Sequence, residues 1–591
     1  MALAKFRQFG HQQLSLLEQM AAPVSCLDLA VESMGERHLD HFSRIVRALG
    51  RKRVTSLRLA IVGATLAASV LLLFLTSPTA GDFANADAPR HALNGAFVLD
   101  FLKQLPLRHP VAWAFDYYMR WPSLSIGFYP PLFYGVEAAV YAAFGVSHAA
   151  AQATVAMFTL LLAASAYAFA RMLLPTLTAI GVAVLLLGCP EISFWARQVM
   201  LDVPMLACVA AGAVIWSRYL RDGTSRQLAL ATACFVAASY VKFTACFLLV
   251  PVVASLIAAR GFKAVTSRPV VITALTASLL VLPAVVLTWQ FGRMNLENVA
   301  APVGAPVSSL WRWTEYAALL PSQLGWLPLI LALPGAVILW RDTPRPCAIF
   351  VLSWIAFGYV FFSAISIHEP RHDQAILLPI ILCAAVALQR VAHVAAGPAM
   401  LALGASAMVM NVFYAEPYRV SGYAEIADYV ADHAPKGSVV LFDGYRDGNF
   451  VFDLRARGDR GDLAVLRANK LLVHYAVRRD WGVTESGYNR DGLKKLLRDS
   501  GVAMVVAQPG FWSDLHEMAL LEDILRSSDY REVARFRVEG SIATDDGGSG
   551  SRGSNVIVFV PTTPPAGVHR LPEIYLPFIA RTLRQSDTGP S

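Results

Sequence analysis

The stretch LRLAIVGATLAASVLLLFLTS, residues 57–77, contains one charged residue and is long enough to cross a bilayer as a helix. The segment before it, RIVRALGRKRVTSLR (44–58), is dense in Arg and Lys, which favours a cytoplasmic location. The segment after it, ADAPRHALNGAFVLDFL (86–102), places Asp87, Arg90 and His91 close together. We therefore expect these polar residues to emerge on the extracytoplasmic side of the first membrane-spanning helix.

The composition extends this interpretation to most of the chain. Of 591 residues, 56% are hydrophobic and only 16% are charged, and the mean hydropathy is +0.49. A soluble enzyme carries about 25% charged residues. The net charge of +8 does not indicate nucleic-acid binding, because basic residues in a membrane protein mark cytoplasmic loops and anionic lipid. The composition predicts an α-helical polytopic membrane protein.

Eleven apolar runs predict eleven transmembrane helices, and alternate loops between them are basic, which marks those loops as cytoplasmic. The runs lie at 57–77, 149–170, 174–190, 203–217, 227–241, 243–259, 269–289, 322–340, 347–366, 374–391 and 398–414. The apolar segment 131–145 is short, so we interpret it as a re-entrant or interfacial helix, with a twelfth span as the alternative. This arrangement predicts a cytoplasmic N-terminal segment (1–56), a membrane domain (57–414) and an extracytoplasmic region (415–591).

The region after residue 414 is more highly charged than the membrane domain, and Gly and Pro interrupt its apolar runs. Four strands are predicted, and the segments are SVVLFDG (438–444), VAMVVAQPG (502–510), YREVARFRVEG (530–540) and NVIVFVP (555–561). Amphipathic helices are predicted between and before them, at 421–437, 491–501 and 514–528. No cysteine follows Cys383, so no disulfide forms there. We expect a soluble α/β domain without a nucleotide-binding motif.

The predicted topology gathers the ionisable residues of the membrane domain on the extracytoplasmic side. They are Asp82, Asp87, Arg90, His91 and Asp100 in the first loop, Glu191, Arg197 and Asp202 in the second, Lys242 in ASYVKFTACF, and His368, Glu369, Arg371, His372 and Asp373 in SIHEPRHDQAILLP. An ionisable group at membrane depth is costly unless it faces a cavity or a partner. Carboxylates and cations that converge at one interface indicate a site for an anionic substrate.

Four segments in this order resemble the GT-C superfamily of glycosyltransferases. They are ADAPRHALNGAFVLDFL, YPPLFYGVEAAVYAAFG (129–145), ARQVMLDVPML (196–206) and EPRHDQAILLP (369–379), and the resemblance covers about 57–391. The nearest branch is glycosyltransferase family 39, with the protein O-mannosyltransferases and the lipid A aminoarabinose transferases. A soluble extracytoplasmic C-terminal domain is common in bacterial members, so the resemblance implies a bacterial inner membrane protein. The family often has Asp-Glu in the first loop, whereas Asp87 is followed by Ala88 here.

The resemblance implies transfer of a sugar from a polyprenyl-phosphate donor to an acceptor hydroxyl on a protein, lipid or polysaccharide. It assigns Asp87 as the general base, and Asp202 as a second catalytic carboxylate that orients the acceptor or holds Arg197. Arg371, Lys242 and Arg197 would bind the phosphate, with Arg90, His91 and His368 as further substrate contacts. No cofactor is required by this chemistry, although an oxygen-ligated divalent metal is compatible with it.

Other interpretations remain open at this stage. Asp87 also fits the N-cap of a helix that begins at Ala88 and has Pro89 in its first turn, and Asp82 is then the alternative base. Lys242 and Arg371 also fit snorkelling interface cations. A transporter or flippase of lipid-linked glycans is the competing function, and a receptor with a binding C-terminal domain is the third.

The predicted topology can be tested by labelling intact cells. Cysteines introduced at Ser33 and Ser549, in a background without native cysteines, should react differently with a membrane-impermeant thiol reagent. The cysteine at 549 should be labelled and the cysteine at 33 should not, because the bilayer separates them. Equal labelling of both positions would contradict the topology.

Overall fold

The structure is a computed structural model that describes residues 36–125, 127–291, 308–365, 368–414, 419–475, 479, 482–540, 553–565, 571–576 and 581–584. The predicted N-terminal segment lies outside these residues up to position 35, and so does most of the Gly- and Ser-rich stretch before the last predicted strand. The chain divides into two units, Met1–Thr65 and Leu66–Ser591.

Sixteen α-helices precede the first strand in the described part of the chain. They are α1 (Glu36–Leu75), α2 (Ala88–Gln104), α3 (Pro110–Arg120), α4 (Leu132–Phe144), α5 (His148–Ala170), α6 (Thr176–Gly188), α7 (Pro190–Trp195), α8 (Asp202–Asp222), α9 (Ser225–Val241), α10 (Leu249–Arg260), α11 (Arg268–Phe291), α12 (Leu310–Leu324), α13 (Trp326–Asp342), α14 (Arg345–Ala364), α15 (Leu377–Ala392) and α16 (Ala396–Phe413). Single 3₁₀ turns at Phe243–Leu248 and Asp373–Ile376 precede α10 and α15.

The helices confirm a polytopic membrane protein, and each predicted apolar run lies on a helix. By length and composition, however, seven described helical stretches can span a bilayer, or eight if one bent pair counts as a span, rather than eleven or twelve. One of the seven, Asp373–Phe413, covers two predicted runs. Helix α6 shows why the estimates differ: it has only 13 residues, and Thr178–Gly188 is buried throughout by other protein segments. An apolar segment is predicted to be shielded from water, but the sequence does not distinguish a segment that faces lipid from one that is buried in protein.

The predicted span at 322–340 also differs from the observed structure. Helices α12 and α13 meet at Gly325 with a bend of 113°, and Gly325 has a φ of 77°, in the left-handed region that favours glycine. The predicted re-entrant segment forms helix α4, whose 13 residues are apolar but short for a crossing. Neither segment is therefore a simple straight span.

The C-terminal region contains strands β1 (Val420–Ser421), β2 (Val439–Asp443), β3 (Ala464–Arg467), β4 (Val473–Tyr475), β5 (Val483–Glu485), β6 (Val502–Ala507), β7 (Tyr530–Gly540), β8 (Ser554–Pro561), β9 (Ile574–Leu576) and β10 (Arg581–Leu583). Its helices are α17 (Tyr423–His433), α18 (Asp447–Ala456), α19 (Ala468–Leu471), α20 (Arg490–Asp499) and α21 (His516–Leu525). The four strands and three helices predicted from the sequence are all present.

The principal sheet has six strands in the order β1-β7-β8-β6-β2-β3. Strand β2 pairs in parallel with β3 and β6, and β8 pairs antiparallel with β6 and β7. Every residue of β2, β3 and β6 is buried, which explains their unbroken apolar runs. The α/β domain is therefore a mixed sheet whose parallel strands are buried.

The loop between α1 and α4 packs directly against the C-terminal domain. The Asp82 carboxylate accepts hydrogen bonds from the main-chain N–H groups of Tyr423 (2.8 Å) and Ala424 (3.0 Å), at the first turn of α17. The side chain of Met119 from α3 lies within the core of the domain. Asp100, another ionisable residue of the first loop, is paired with Arg455 of the domain. The first loop thus joins the membrane helices to the domain.

Replacement of Asp82 tests whether this contact stabilises the α/β domain. Asp82→Ala should lower the free energy of unfolding by about 1–2 kcal/mol, because two N–H groups at a helix start lose their acceptor. The thermal unfolding midpoint of the purified full-length chain in nanodiscs would measure this. Asp499→Ala, at an exposed carboxylate of α20, is the control and should leave the midpoint unchanged. Equal midpoints for both variants would show that Asp82 is not a stabilising cap.

Candidate functional site

Asp87 lies at the N-cap position of α2, but its side chain makes no capping hydrogen bond. Pro89 in the first turn pre-organises the helix, which starts without that bond. The carboxylate instead faces Arg371, with 3.9 Å between Asp87 Oδ2 and Arg371 Nη2. Asp87 is 38% exposed, so one side of the carboxylate is open to a substrate. Asp82, in contrast, accepts hydrogen bonds from the main chain of α17.

Arg371 lies in the loop between α14 and α15 and is held in place by Glu369 and Trp195. Its Nε lies 2.5 Å from Glu369 Oε2, and its guanidinium lies 5.2 Å from the centre of the Trp195 ring at the end of α7. Trp195 is oriented in turn by a hydrogen bond from its Nε1 to Glu191 (3.0 Å). Arg371 is 11% exposed, so its position is determined by packing. This arrangement contradicts a freely snorkelling side chain.

Lys242 and Asp202 form a buried ion pair with 2.6 Å between Nζ and Oδ1. Lys242 follows the last residue of α9 in an extended conformation, so the helix ends there and the side chain leaves its axis. Asp202 begins α8. The side chains are 12% and 3% exposed, respectively. The structure therefore pairs Asp202 with Lys242, whereas contact with Arg197 was one of the two roles expected for Asp202 from the sequence.

His91 lies one turn after Asp87 on α2 and is buried. Its Nδ1 is 2.9 Å from the hydroxyl of Tyr134 on α4, and its ring is 5.2 Å from that of Tyr129. Burial lowers the pKa of His91 to about 4, which outweighs the attraction of Asp87 for a proton. His91 is therefore neutral at physiological pH and can contribute hydrogen bonds but no charge.

The charged side chains around Asp87 shift the pKa of its carboxyl. Burial raises the pKa of the Asp87 carboxyl, but the positive charge of Arg371, with smaller contributions from neighbouring cations including Lys242, brings it below the usual range. Asp202 is also within the electrostatic reach of Arg371. We call Asp87, His91, Asp202, Lys242 and Arg371 the polar cluster. It combines two carboxylates with two cations and a neutral imidazole.

Three predicted site residues are not part of the polar cluster. Arg90 Nη2 lies 3.7 Å from Asp447 Oδ1 in the C-terminal domain. His368 contacts Glu315 through Nδ1 (2.5 Å) and the Ser363 main-chain oxygen through Nε2 (3.1 Å), so both ring nitrogens have protein partners. Their substrate-binding roles stay predictions, and these contacts favour structural roles instead.

Arg197 is the third of these residues, and it is almost completely buried. It donates from Nε to the Ser193 oxygen (3.1 Å) and from Nη2 to the Asn411 oxygen near the end of α16 (3.1 Å). These bonds tie α7, which carries Trp195, to α16. Arg197 thus fixes the position of α7, and with it that of Trp195, without being part of the polar cluster.

No group of three or more His, Cys, Asp or Glu side chains in the described residues is arranged to hold a metal ion. In the polar cluster, each of the two aspartates lies beside a cation, Arg371 for Asp87 and Lys242 for Asp202. A divalent cation would have to compete with these side chains for the same oxygens. The described residues therefore do not fit a metal site, and the positive charges beside these carboxylates are Arg371 and Lys242.

Comparison with solved structures shows which fold this arrangement belongs to. The crystal structure of ArnT from Cupriavidus metallidurans bound to undecaprenyl phosphate matches with a TM-score of 0.59 at 16% identity, over 84% of this chain and 98% of that one. The chain has the GT-C fold. An oligosaccharyltransferase from Archaeoglobus fulgidus in the apo form matches this GT-C chain with a TM-score of 0.51 at 10% identity, over 76% of this chain and 69% of that one.

The sequence comparisons add a family match for part of this GT-C chain. The family model described as dolichyl-phosphate-mannose-protein mannosyltransferase matches residues 129–289. That range includes Tyr129, Asp202 and Lys242 but neither Asp87 nor Arg371. Comparison with curated proteins finds no match. The predicted resemblance is confirmed at the level of the fold, and the family model supports it over residues 129–289.

Sequence reasoning missed the residues that position the cluster. Trp195 contacts Arg371 from α7, and Tyr134 contacts His91 from α4. Glu191 was recognised only as an ionisable residue of the second loop, and it orients Trp195. The only local signal was the spacing in EISFWAR, where Glu191 and Trp195 are four residues apart on one helix face. The remaining pairings depend on the helix packing and have no signal in the sequence.

The buried pair of Lys242 and Asp202 should be revealed by a double substitution. Lys242→Gln alone should lower the free energy of unfolding by about 3–5 kcal/mol, because it leaves a buried carboxylate without its cation. Adding Asp202→Asn should restore most of that loss. The thermal unfolding midpoints of both variants in nanodiscs provide the measurement.

Lys495→Gln is the matched control, because Lys495 pairs with Asp499 at an exposed position, where a salt bridge contributes little. If Lys242→Gln unfolds at the same midpoint as this control, then Lys242 does not neutralise Asp202.

Proposed function

We propose that the protein transfers a sugar from a polyprenyl-phosphate donor to an acceptor hydroxyl on the extracytoplasmic side of the membrane. The observation that carries this proposal is the arrangement of Asp87 beside Arg371 at the partly open edge of the polar cluster. A carboxylate that can accept a proton lies next to a cation that can bind a phosphate. The fold shared with an ArnT structure that holds undecaprenyl phosphate supports the same donor class.

Asp87 is the general base in this proposal. The acceptor hydroxyl attacks the anomeric carbon from the face opposite the phosphate, and Asp87 removes its proton. Since the pKa of Asp87 lies below the usual range, the carboxylate is ionised and ready to accept that proton at neutral pH. The bond between the anomeric carbon and the phosphate oxygen breaks in the same displacement, so the product has the inverted configuration.

Arg371 and Lys242 stabilise the phosphate that leaves. Negative charge grows on the polyprenyl phosphate as the glycosidic bond breaks, and cations already fixed in place stabilise this charge without reorganising. Arg371 is held by Glu369 and Trp195, and Lys242 is held by Asp202. Asp202 therefore acts as a positioning residue for Lys242. When the donor phosphate pairs with Arg371, it offsets the positive charge that lowers the pKa of Asp87. Asp87 therefore becomes a stronger base when the donor is bound.

Asp87→Asn tests the proposed base. The amide keeps the size of the side chain but cannot take a proton, so turnover should fall by about 10²–10⁴-fold. Donor binding should change little, because the carboxylate does not attract the phosphate. The protein is reconstituted in nanodiscs, and transfer from a panel of polyprenyl-phosphate hexoses and pentoses is measured, together with binding of undecaprenyl phosphate.

Arg371→Gln tests the proposed phosphate contact. It should weaken binding of undecaprenyl phosphate by about 1.5–3 kcal/mol, the contribution of a hydrogen bond to a charged group, which corresponds to roughly 10–150-fold. Asp82→Asn is the control for both, because Asp82 contacts α17 instead of the cluster. If Asp87→Asn retains full turnover while Asp82→Asn loses it, then Asp82 is the base. If Arg371→Gln binds undecaprenyl phosphate normally, then Arg371 is not the phosphate contact.

A further inference from the structure

A second polar cavity lies in the C-terminal α/β domain, apart from the polar cluster. It has a volume of about 630 Å³, which is within the range of sites for small molecules. Its walls include Asp443, Gln508, Glu522, Arg526, Tyr530 and Asn555. None of these residues contributes to the donor chemistry proposed above, and the sequence analysis assigned no role to any of them.

The position of this cavity follows from the order of the strands. Strand β2 is flanked by β3 on one side and β6 on the other, both in parallel, so the chain leaves β2 toward one side and returns on the other. In α/β sheets, ligands bind outside the carboxyl ends of parallel strands where the strand order reverses in this way. Asp443 is the last residue of β2, and Ala507 is the last residue of β6. Both residues line the cavity.

Asp443 is the feature of the cavity that indicates a ligand. It is 5% exposed, and its Oδ1 accepts no hydrogen bond from the described residues. Burial, together with the charge of Glu522, raises the pKa of this carboxyl well above its usual range. A buried oxygen without a donor costs about 1–3 kcal/mol of stability. A ligand with a hydroxyl or amino group would provide the missing donor.

The rest of the wall is fixed by its own hydrogen bonds. Gln508 donates from its main-chain N–H to the main-chain oxygen of Asp443 (2.7 Å) and from Nε2 to Ser554 Oγ (2.7 Å), and its Oε1 accepts from the Tyr445 N–H (3.1 Å). The cavity therefore presents a wall that is ordered before any ligand arrives, which reduces the entropy cost of binding.

The charged side chains of the lining are paired with one another. Arg526 is paired with Glu522, and Arg535 is paired with Glu532 at 2.9 Å between Nη2 and Oε2. Each of these two guanidinium groups thus has a carboxylate partner among the described lining residues, and Asp443 adds a carboxyl whose pKa is raised. Tyr530 and Phe559 add aromatic surface to the same lining. Acceptor oxygens, amides and aromatic rings without a free cation match the hydroxyl groups and C–H faces of a sugar.

We propose that this cavity binds a saccharide that carries no acidic group, and that a sugar hydroxyl donates to Asp443. The site is separate from the donor phosphate site, and the proposal does not depend on the proposed transferase reaction. It gives the C-terminal domain a binding role of its own.

The experiment uses the full-length chain in nanodiscs that contain no glycolipid. Saturation-transfer NMR is recorded with maltotriose, mannotriose and triacetylchitotriose as uncharged probes, and with a galacturonic acid trimer as the anionic probe. At least one uncharged trisaccharide should give a transfer signal, and the anionic trimer should give none.

Asp443→Ala should weaken binding of that trisaccharide by about 2–10-fold, the effect of losing one hydrogen bond to an uncharged carboxyl. Its thermal unfolding midpoint should stay equal to the wild type or rise, because the buried carboxyl has no protein donor to lose. Tyr530→Leu keeps an apolar side chain and should also weaken binding. Asp499→Ala, at an exposed carboxylate in the same domain, should change nothing.

Three results would overturn the proposal: no signal from any uncharged trisaccharide, equal binding of the anionic trimer, or full binding by both Asp443→Ala and Tyr530→Leu. Binding of undecaprenyl phosphate is measured on the same samples. It should be unchanged in Asp443→Ala, so failure of this site is distinguishable from failure of the donor site.

Discussion

The ion pair between Lys242 and Asp202 shows the constraint on which the site depends: a charged group at the end of an apolar helix must have a partner. The pair is nearly inaccessible to solvent and its atoms are 2.6 Å apart. Its formation requires that α9 stop at Val241 and that α8 begin at Asp202, so two helix ends are brought to the same level. The loop that carries Arg371 then packs against the same group of charges. The positions of these helix ends therefore determine which charged groups meet in the site, because each buried charge needs a partner.

The first loop connects the C-terminal α/β domain to the helices that carry the polar cluster. Two aspartates five residues apart have opposite tasks. Asp82 binds the N–H groups at the start of α17, whereas Asp87 faces Arg371 in the loop after α14. Arg90 adds a contact to Asp447 on the domain side. Gly448 allows this approach, because a Cβ there would lie 2.8 Å from Pro89.

The two polar sites of the molecule differ in the charge that they present. The polar cluster contains Arg371 and Lys242, which suits a phosphate, and its carboxylates are paired with them. The cavity at the end of β2 and β6 has its guanidinium groups neutralised and one carboxyl oxygen without a donor. This difference is the basis for proposing a lipid phosphate as the ligand of the polar cluster and an uncharged saccharide as the ligand of the cavity.

The sequence by itself determined the membrane class, the helix positions, the principal strands of the α/β domain and the residues from which the site is built. These features follow from local hydrophobicity and from the cost of placing charge in an apolar segment, and both can be read without knowing the contacts. Only the tertiary structure decided which of those residues meet. It paired Asp202 with Lys242 instead of Arg197, turned His368 toward Glu315, and buried the short helix α6 inside the protein. Such pairings join residues that are 40 to 53 positions apart, so they depend on how the helices pack, and no local pattern encodes them.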